Sequence, residues 1–329
     1  MVKADAYGHG SVPVARAVTE AGATWLGVAT AEEAEELRAA GLENRLLVVG
    51  PLTGRELNQC ATVDADVIVW SRTFLKEAIR SGCRVHLKLD TGMGRLGARQ
   101  QHLEELVGIA AGARADLVGL MTHFATADEY ESDFFETQLH IFTKAVLRMR
   151  QARPWVLAHA ANSAAILRER RSCFDMVRPG IAMYGLSPFN DSPDKYHLAP
   201  ALQLLSYLAA IREFSAEESV GYGRAFMVER PVRVGVVPIG YADGVPRSLS
   251  NSGHVLIRGF DCPIVGRVSM DQLTVLLPQD VKNPGETVVL IGPSGTARIG
   301  CEDVALRAGT IVNEIVSRIG PRVRRDYIG

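Results

Sequence analysis

Residues 25–50 read WLGVATAEEAEELRAAGLENRLLVVG: an apolar run, a stretch of helix-forming composition at 31–40, and a second apolar run. Strand, helix and strand in that order make a βαβ unit, with the helix as crossover between parallel strands. The same alternation continues on both sides. Expected strands fall at 2–3, 25–29, 46–49, 67–70, 85–89, 118–122, 155–159 and 176–178, and further helices at 72–80 and 132–150. Eight units in about 180 residues are compact for a TIM-type (β/α)8 barrel, yet the count favours that closed α/β architecture over an open doubly wound sheet.

After Pro200 the texture changes. Runs at 232–237, 255–258 and 287–292 are β-rich and separated by Gly, Pro and Asp turns, with one helix expected near 302–319. The boundary is placed in 187–200, giving a barrel over 1–195 and a mainly β domain over 196–329.

Composition narrows the function classes. The chain has 329 residues, 36 Lys plus Arg against 37 Asp plus Glu, and a formal charge of -1, which leaves no basic field for nucleic acid or an anionic membrane. No apolar run approaches the roughly 18 residues that span a bilayer, and the first ten residues lack a secretory pattern. Five widely spaced cysteines without a C-x-x-C pair argue against a zinc or redox site and fit a reducing cytoplasmic setting. No metal is expected.

In a βα barrel the chemistry sits at the carboxyl ends of the strands. Those ends supply Lys3, Lys88, Arg95, His123, Asn162, Ser163, Arg178, Gly180 and Ile181. Each has a bland reading, such as a solvated strand-end lysine for Lys3, a hydrogen-bonded core histidine for His123 or a mere turn for Gly180. Gly92-Met93-Gly94-Arg95-Leu96-Gly97 satisfies G-x-G-x-x-G after a strand, but that pattern alone is weak and the barrel count speaks against a dinucleotide site.

Taken in order, the motifs are more specific. Val2-Lys3-Ala4-Asp5-Ala6-Tyr7-Gly8-His9-Gly10 resembles the cofactor-lysine motif of the alanine racemase family, which uses pyridoxal 5'-phosphate. The resemblance continues through residues 86–97, 122–128, 161–164 and 177–185, then through Gly221-Tyr222-Gly223, residues 239–244 and residues 266–272. It implies an enzyme that interconverts L- and D-alanine and feeds peptidoglycan synthesis, working as a homodimer with shared sites. Lys3 would hold the cofactor covalently and act as one acid-base group, with Tyr222 of the second subunit as the other. Tyr7, Arg95, His123, Asn162, Ser163, Arg178, Gly180 and Ile181 would bind the cofactor, and Arg95, Tyr241 and Met270 the substrate. Lys88 matches a lysine that is carbamylated in many relatives.

Chemically the roles cohere. Inverting a stereocentre needs a proton removed on one face and returned on the other. Arg178, which cannot accept a proton, would leave the cofactor's ring nitrogen largely neutral and favour quick reprotonation over transamination. The alternatives are a racemase of broader or serine specificity and a non-catalytic cofactor-binding barrel; the β-rich half with Tyr222, Tyr241 and Met270 argues against the latter. Three departures stand out: Ser269 where relatives often have Cys, Arg324 where many have Pro, and a chain that starts two residues before Lys3 although relatives carry a helix and a strand ahead of that motif. Either Met1 lies downstream of the true start, or the barrel is open at one seam.

Overall fold

A computed structural model describes residues 1–113 and 115–328. It divides into two compact units, Met1–Met183 and Tyr184–Gly329.

The first unit is built on a six-stranded parallel sheet: β1 (Trp25–Val28), β2 (Arg45–Val48), β3 (Ala65–Val69), β4 (Val85–Lys88), β5 (Leu117–Met121) and β6 (Leu157–His159), hydrogen-bonded in sequence order. Apolar residues such as Val67, Leu87 and Leu120 bury almost completely because helices cover a parallel sheet. Crossover helices start where the chain supplies caps. Thr30 and Thr53 each accept from the third helical residue, whose Glu side chain reciprocates, and Ser71 caps Arg72–Arg80.

Two of the eight expected strands are corrected. Segment 176–178 contributes only one parallel bridge, Met176 to His159, and a bond from Arg178 N to Ala161 O of 2.9 Å. Segment 2–3 is not a strand. Val2 N donates to Gly27 O at 2.8 Å, and the chain then turns left-handed: Ala4, Asp5, Ala6 and Tyr7 have φ of 50–54° and ψ of 39–54°. Such geometry costs L-residues about 1–2 kcal/mol each. The alanine- and glycine-rich stretch has little strand propensity to resist the turn, and local bonds hold it. Ser11 N donates to Asp5 Oδ1 at 2.7 Å, and Gly10 N to Asp5 O at 2.9 Å. The expected open seam carries no strand ladder, but Met1 N bonds Pro179 O across it at 3.0 Å.

The second unit is mainly β. Val232–Val237 lies between Leu273–Leu276 and Ala210–Phe214, all antiparallel, and Thr287–Ser294 pairs with His254–Ile257, Ala297–Ile299 and Leu204–Tyr207. The single helix expected near 302–319 is two, Cys301–Ala308 and Val312–Ser317, because Gly309 takes a left-handed φ of 71° and ends the first.

Candidate active site

The first unit brings the strand-end residues together. Lys88 closes β4, His123 follows β5, and Asn162 and Ser163 follow β6. Register puts Lys88, Met121, His159 and Met176 in one row across the sheet. Burial, then repulsion from Arg95, pulls the Lys3 amine below its ordinary value, with Glu33 offsetting part. Lys88 is buried, and burial followed by Arg95 and Arg178 lowers it to about 8. His123 is lowered to about 3 by burial first and then by Arg178, Lys88, Arg95 and Lys3. These mutual effects put Lys3, Lys88, Arg95 and Arg178 within electrostatic reach of one another and of His123, a field suited to anions such as carboxylate or phosphate.

Arg178 is the most constrained of them. It is buried, and its guanidinium donates to Thr122 O at 2.7 Å and Ala160 O at 2.9 Å and contacts His159 Nδ1 at 2.9 Å and His123 Nδ1 at 3.4 Å. Ser163 Oγ accepts from Gly180 N at 2.9 Å and Ala182 N at 3.2 Å, so the residues expected at a phosphate do meet. A Cβ on Gly180 would fall 2.4 Å from the Tyr7 hydroxyl; only glycine lets that phenol approach. Ile181 is buried beside them. The Asn162 side chain caps Ser163–Arg168 by accepting from Ala165 N at 3.0 Å.

The glycine-rich segment after β4 is a loop organised by Asp90, whose Oδ1 accepts from Gly92 N and Gly94 N at 3.0 and 3.1 Å and leaves Arg95 exposed. No helix opens at its third glycine, as a dinucleotide site requires. Gln138, which sequence reading missed, bonds His123 O, Thr91 Oγ1 and Ala125 N from within the core.

In the second unit Tyr222, Tyr241 and Met270 are exposed. Tyr222 sits on a loop whose positive φ falls on Gly221 and Gly223, which adopt it freely, and on Arg224, where it is strained. Tyr241 N donates to Ser269 O and Ala242 N to Met270 O, both at 3.0 Å, so the two loops bearing expected substrate contacts are joined. Arg322, also missed, locks them: its guanidinium holds Asp243 Oδ1 and Asp271 Oδ1, each at 2.8 Å. Ser269 Oγ bonds Gln272 O at 2.6 Å, and exposed Arg324 pairs with Asp326.

Residues 1–188 match the family described as alanine racemase, N-terminal domain, and residues 201–327 the alanine racemase, C-terminal domain. The chain belongs to the alanine racemase family. It is 41% identical over 342 residues to the alanine racemase of Beutenbergia cavernae, spanning all of this chain and 90% of that one, and 42% identical to that of Streptomyces coelicolor, spanning all of this chain and 88% of that one. The alanine racemase structure from Streptomyces lavendulae superposes with a TM-score of 0.95 at 39% identity, covering 100% of this chain and 89% of the other. One from Bartonella henselae, described with covalently bound pyridoxal phosphate, superposes at 0.88 with 31% identity, covering 99% and 91%. Alanine racemase membership makes the chain an isomerase acting on alanine, and the serine-specific and non-catalytic readings are not favoured.

Proposed function

We propose that the chain racemises alanine with pyridoxal 5'-phosphate by passing the α-proton between Lys3 on one face of the substrate and the partner subunit's Tyr222 on the other. The observation that carries this is the buried Arg178 guanidinium beside His123 Nδ1 at 3.4 Å, with Ser163 Oγ joined to Gly180 N at 2.9 Å and Tyr7 lying close to Gly180, in the electrostatic reach of Lys3, Lys88 and Arg95. That donor set fits the cofactor. The amide of Gly180, the Ser163 hydroxyl and the Tyr7 hydroxyl suit its phosphate, Arg178 its ring nitrogen, Arg95 its phenolic oxygen, and the amine of Lys3 its aldehyde carbon. When bound, the cofactor withdraws electrons and acidifies the substrate's α-carbon.

The rest falls to the chain's own side chains. Arg178 has no site to accept a proton, so it orients the ring without protonating it. Neutral His123, facing Arg178 through Nδ1, has Nε2 free to bond the partner's Tyr222 and favour its phenolate form. Arg95 and the main chain of the partner's Met270 hold the substrate carboxylate, and the partner's Tyr241 limits the side chain to a small one. Lys88, partly neutral near pH 8, adds to carbon dioxide through its amine nitrogen and releases one proton, giving a carbamate that pairs with Arg95. A cytoplasmic homodimer supplying D-alanine for peptidoglycan completes the reading.

The test is an absorbance scan of purified protein, with Lys3→Ala as control, beside chiral analysis of product from L-alanine in deuterated water. Lysine-linked cofactor absorbance lost in the control, together with deuterated D-alanine, supports the reading. Cofactor absorbance without exchange overturns it.

A further inference from the structure

From Arg178 a buried chain of polar groups runs into the sheet, and the proposed proton transfers do not use it. Arg178 Nη1 meets His159 Nδ1 at 2.9 Å, His159 Nε2 meets His86 Nδ1 at 2.8 Å, and His86 Nε2 meets Asp66 Oδ2 at 3.2 Å. Asp66, His86 and His159 are fully buried, and Asp66 also receives Arg45 at 2.7 Å and Arg84 at 2.6 Å. The chain crosses from β3 through β4 to β6, and the sheet makes room for it. His86 is in register with Gly119 of β5, where a Cβ would lie 2.0 Å from His86 Nδ1. Trp25 closes the other side, edge-on to the His86 ring.

The two ends dictate the protons between them. Arginine only donates and a carboxylate only accepts. His159 Nδ1 must therefore accept from Arg178, which puts the His159 proton on Nε2; His86 Nδ1 accepts that proton's bond, and the His86 proton is on Nε2, pointing at Asp66. One arrangement alone satisfies every group in the row, and a buried network so satisfied is rigid.

We infer that Asp66 and His86 are positioning residues for the reaction: through a one-way relay, Arg178 to His159 to His86 to Asp66, they lock the Arg178 guanidinium in the orientation that faces the cofactor ring. Two neutral imidazoles pass the fixed direction along without adding charge beside Arg178. Burial, the first influence on each ring, keeps both histidines below their ordinary value even though Asp66 pulls His86 upward. Arg45 and Arg178 oppose protonation of His86, and Arg178 opposes that of His159.

The test has an arm that does not depend on the racemase reading. Histidine-labelled holoenzyme is observed by nitrogen-15 NMR between pH 6 and 8, with signals assigned by single substitutions. Expected are His86 and His159 each neutral, each protonated on Nε2, and neither titrating. A proton on Nδ1 of either ring, or a tautomer mixture, overturns the relay. The second arm rests on the proposed function. His86→Phe keeps the ring volume but removes the acceptor for His159; kcat should fall about 10-fold, as for loss of an orienting partner, with KM for alanine little changed and the His159 tautomer no longer fixed. Asp66→Asn keeps one oxygen to accept from His86 Nε2 but turns the other acceptor toward an arginine into a donor, so it should keep both tautomers while lowering stability. If His86→Phe leaves kcat and the His159 signals as in wild type, the positioning role fails even though the relay exists.

Discussion

At the scale of single residues, burial sets how the site responds to pH. Lys88 is held near pH 8 against an ordinary 10.5, so between those values the unfolded chain carries a proton that the native chain has lost, and stability rises with pH across that window. Lys88→Met should flatten that rise and raise the unfolding free energy at pH 7 in bicarbonate-free buffer, read by urea denaturation at a series of pH values. His123 behaves in the same sense lower on the scale. Its native value of about 3 against 6.5 means that the unfolded chain takes up a proton first as pH falls, so stability is lost from pH 6.5 downward. His123→Gln should reduce that acid loss, and the His123 ring should show no titration by NMR between pH 5 and 8. The buried cysteines need no such accounting: burial pushes Cys60, Cys262 and Cys301 up to about 12 and Cys83 to about 11, leaving inert thiols.

At the scale of elements, the left-handed turn after Lys3 stores strain that a single substitution can release. Exposed Ala4 has φ 53°, and Ala4→Gly should stabilise the protein by about 1 kcal/mol, seen as a higher melting temperature. A measured loss of stability would mean that the turn is relaxed in solution. This turn also marks where sequence reading stops. The βα alternation of residues 25–159 is visible because each strand is a local apolar run and the helices Ala31–Ala39, Gly54–Thr62 and Arg72–Arg80 open at Thr or Ser caps, and strand ends then point to Lys88, His123, Ser163 and Arg178. Four successive left-handed residues have no local signature outside glycine and asparagine. Gln138 and the relay through Asp66 and His86 are invisible for another reason: their partners lie 13 to 73 residues away along the chain, across strands whose register only the folded sheet sets. Gly119 looks like any strand glycine until His86 is seen lying against it.

At the scale of the whole molecule, the proposed sharing of sites between subunits can be read from mixtures. Lys3→Ala and Tyr222→Phe should each be inactive alone. Co-refolded in equal amounts, half of the dimers should pair one of each and carry one intact site, restoring about a quarter of wild-type activity. No recovery would place Lys3 and Tyr222 in the same subunit's site. The Arg322 lock has a consequence for the tail of the chain. Gly320 N bonds Asp243 O, and Arg325 bonds the carbonyls of Ile319, Gly320 and Val323, so the last residues are knotted onto the loops that carry Tyr241 and Met270. A variant lacking residues 322–328 would free the two loops that carry Tyr241 and Met270 from each other's aspartates, and on the proposed function it should lose turnover.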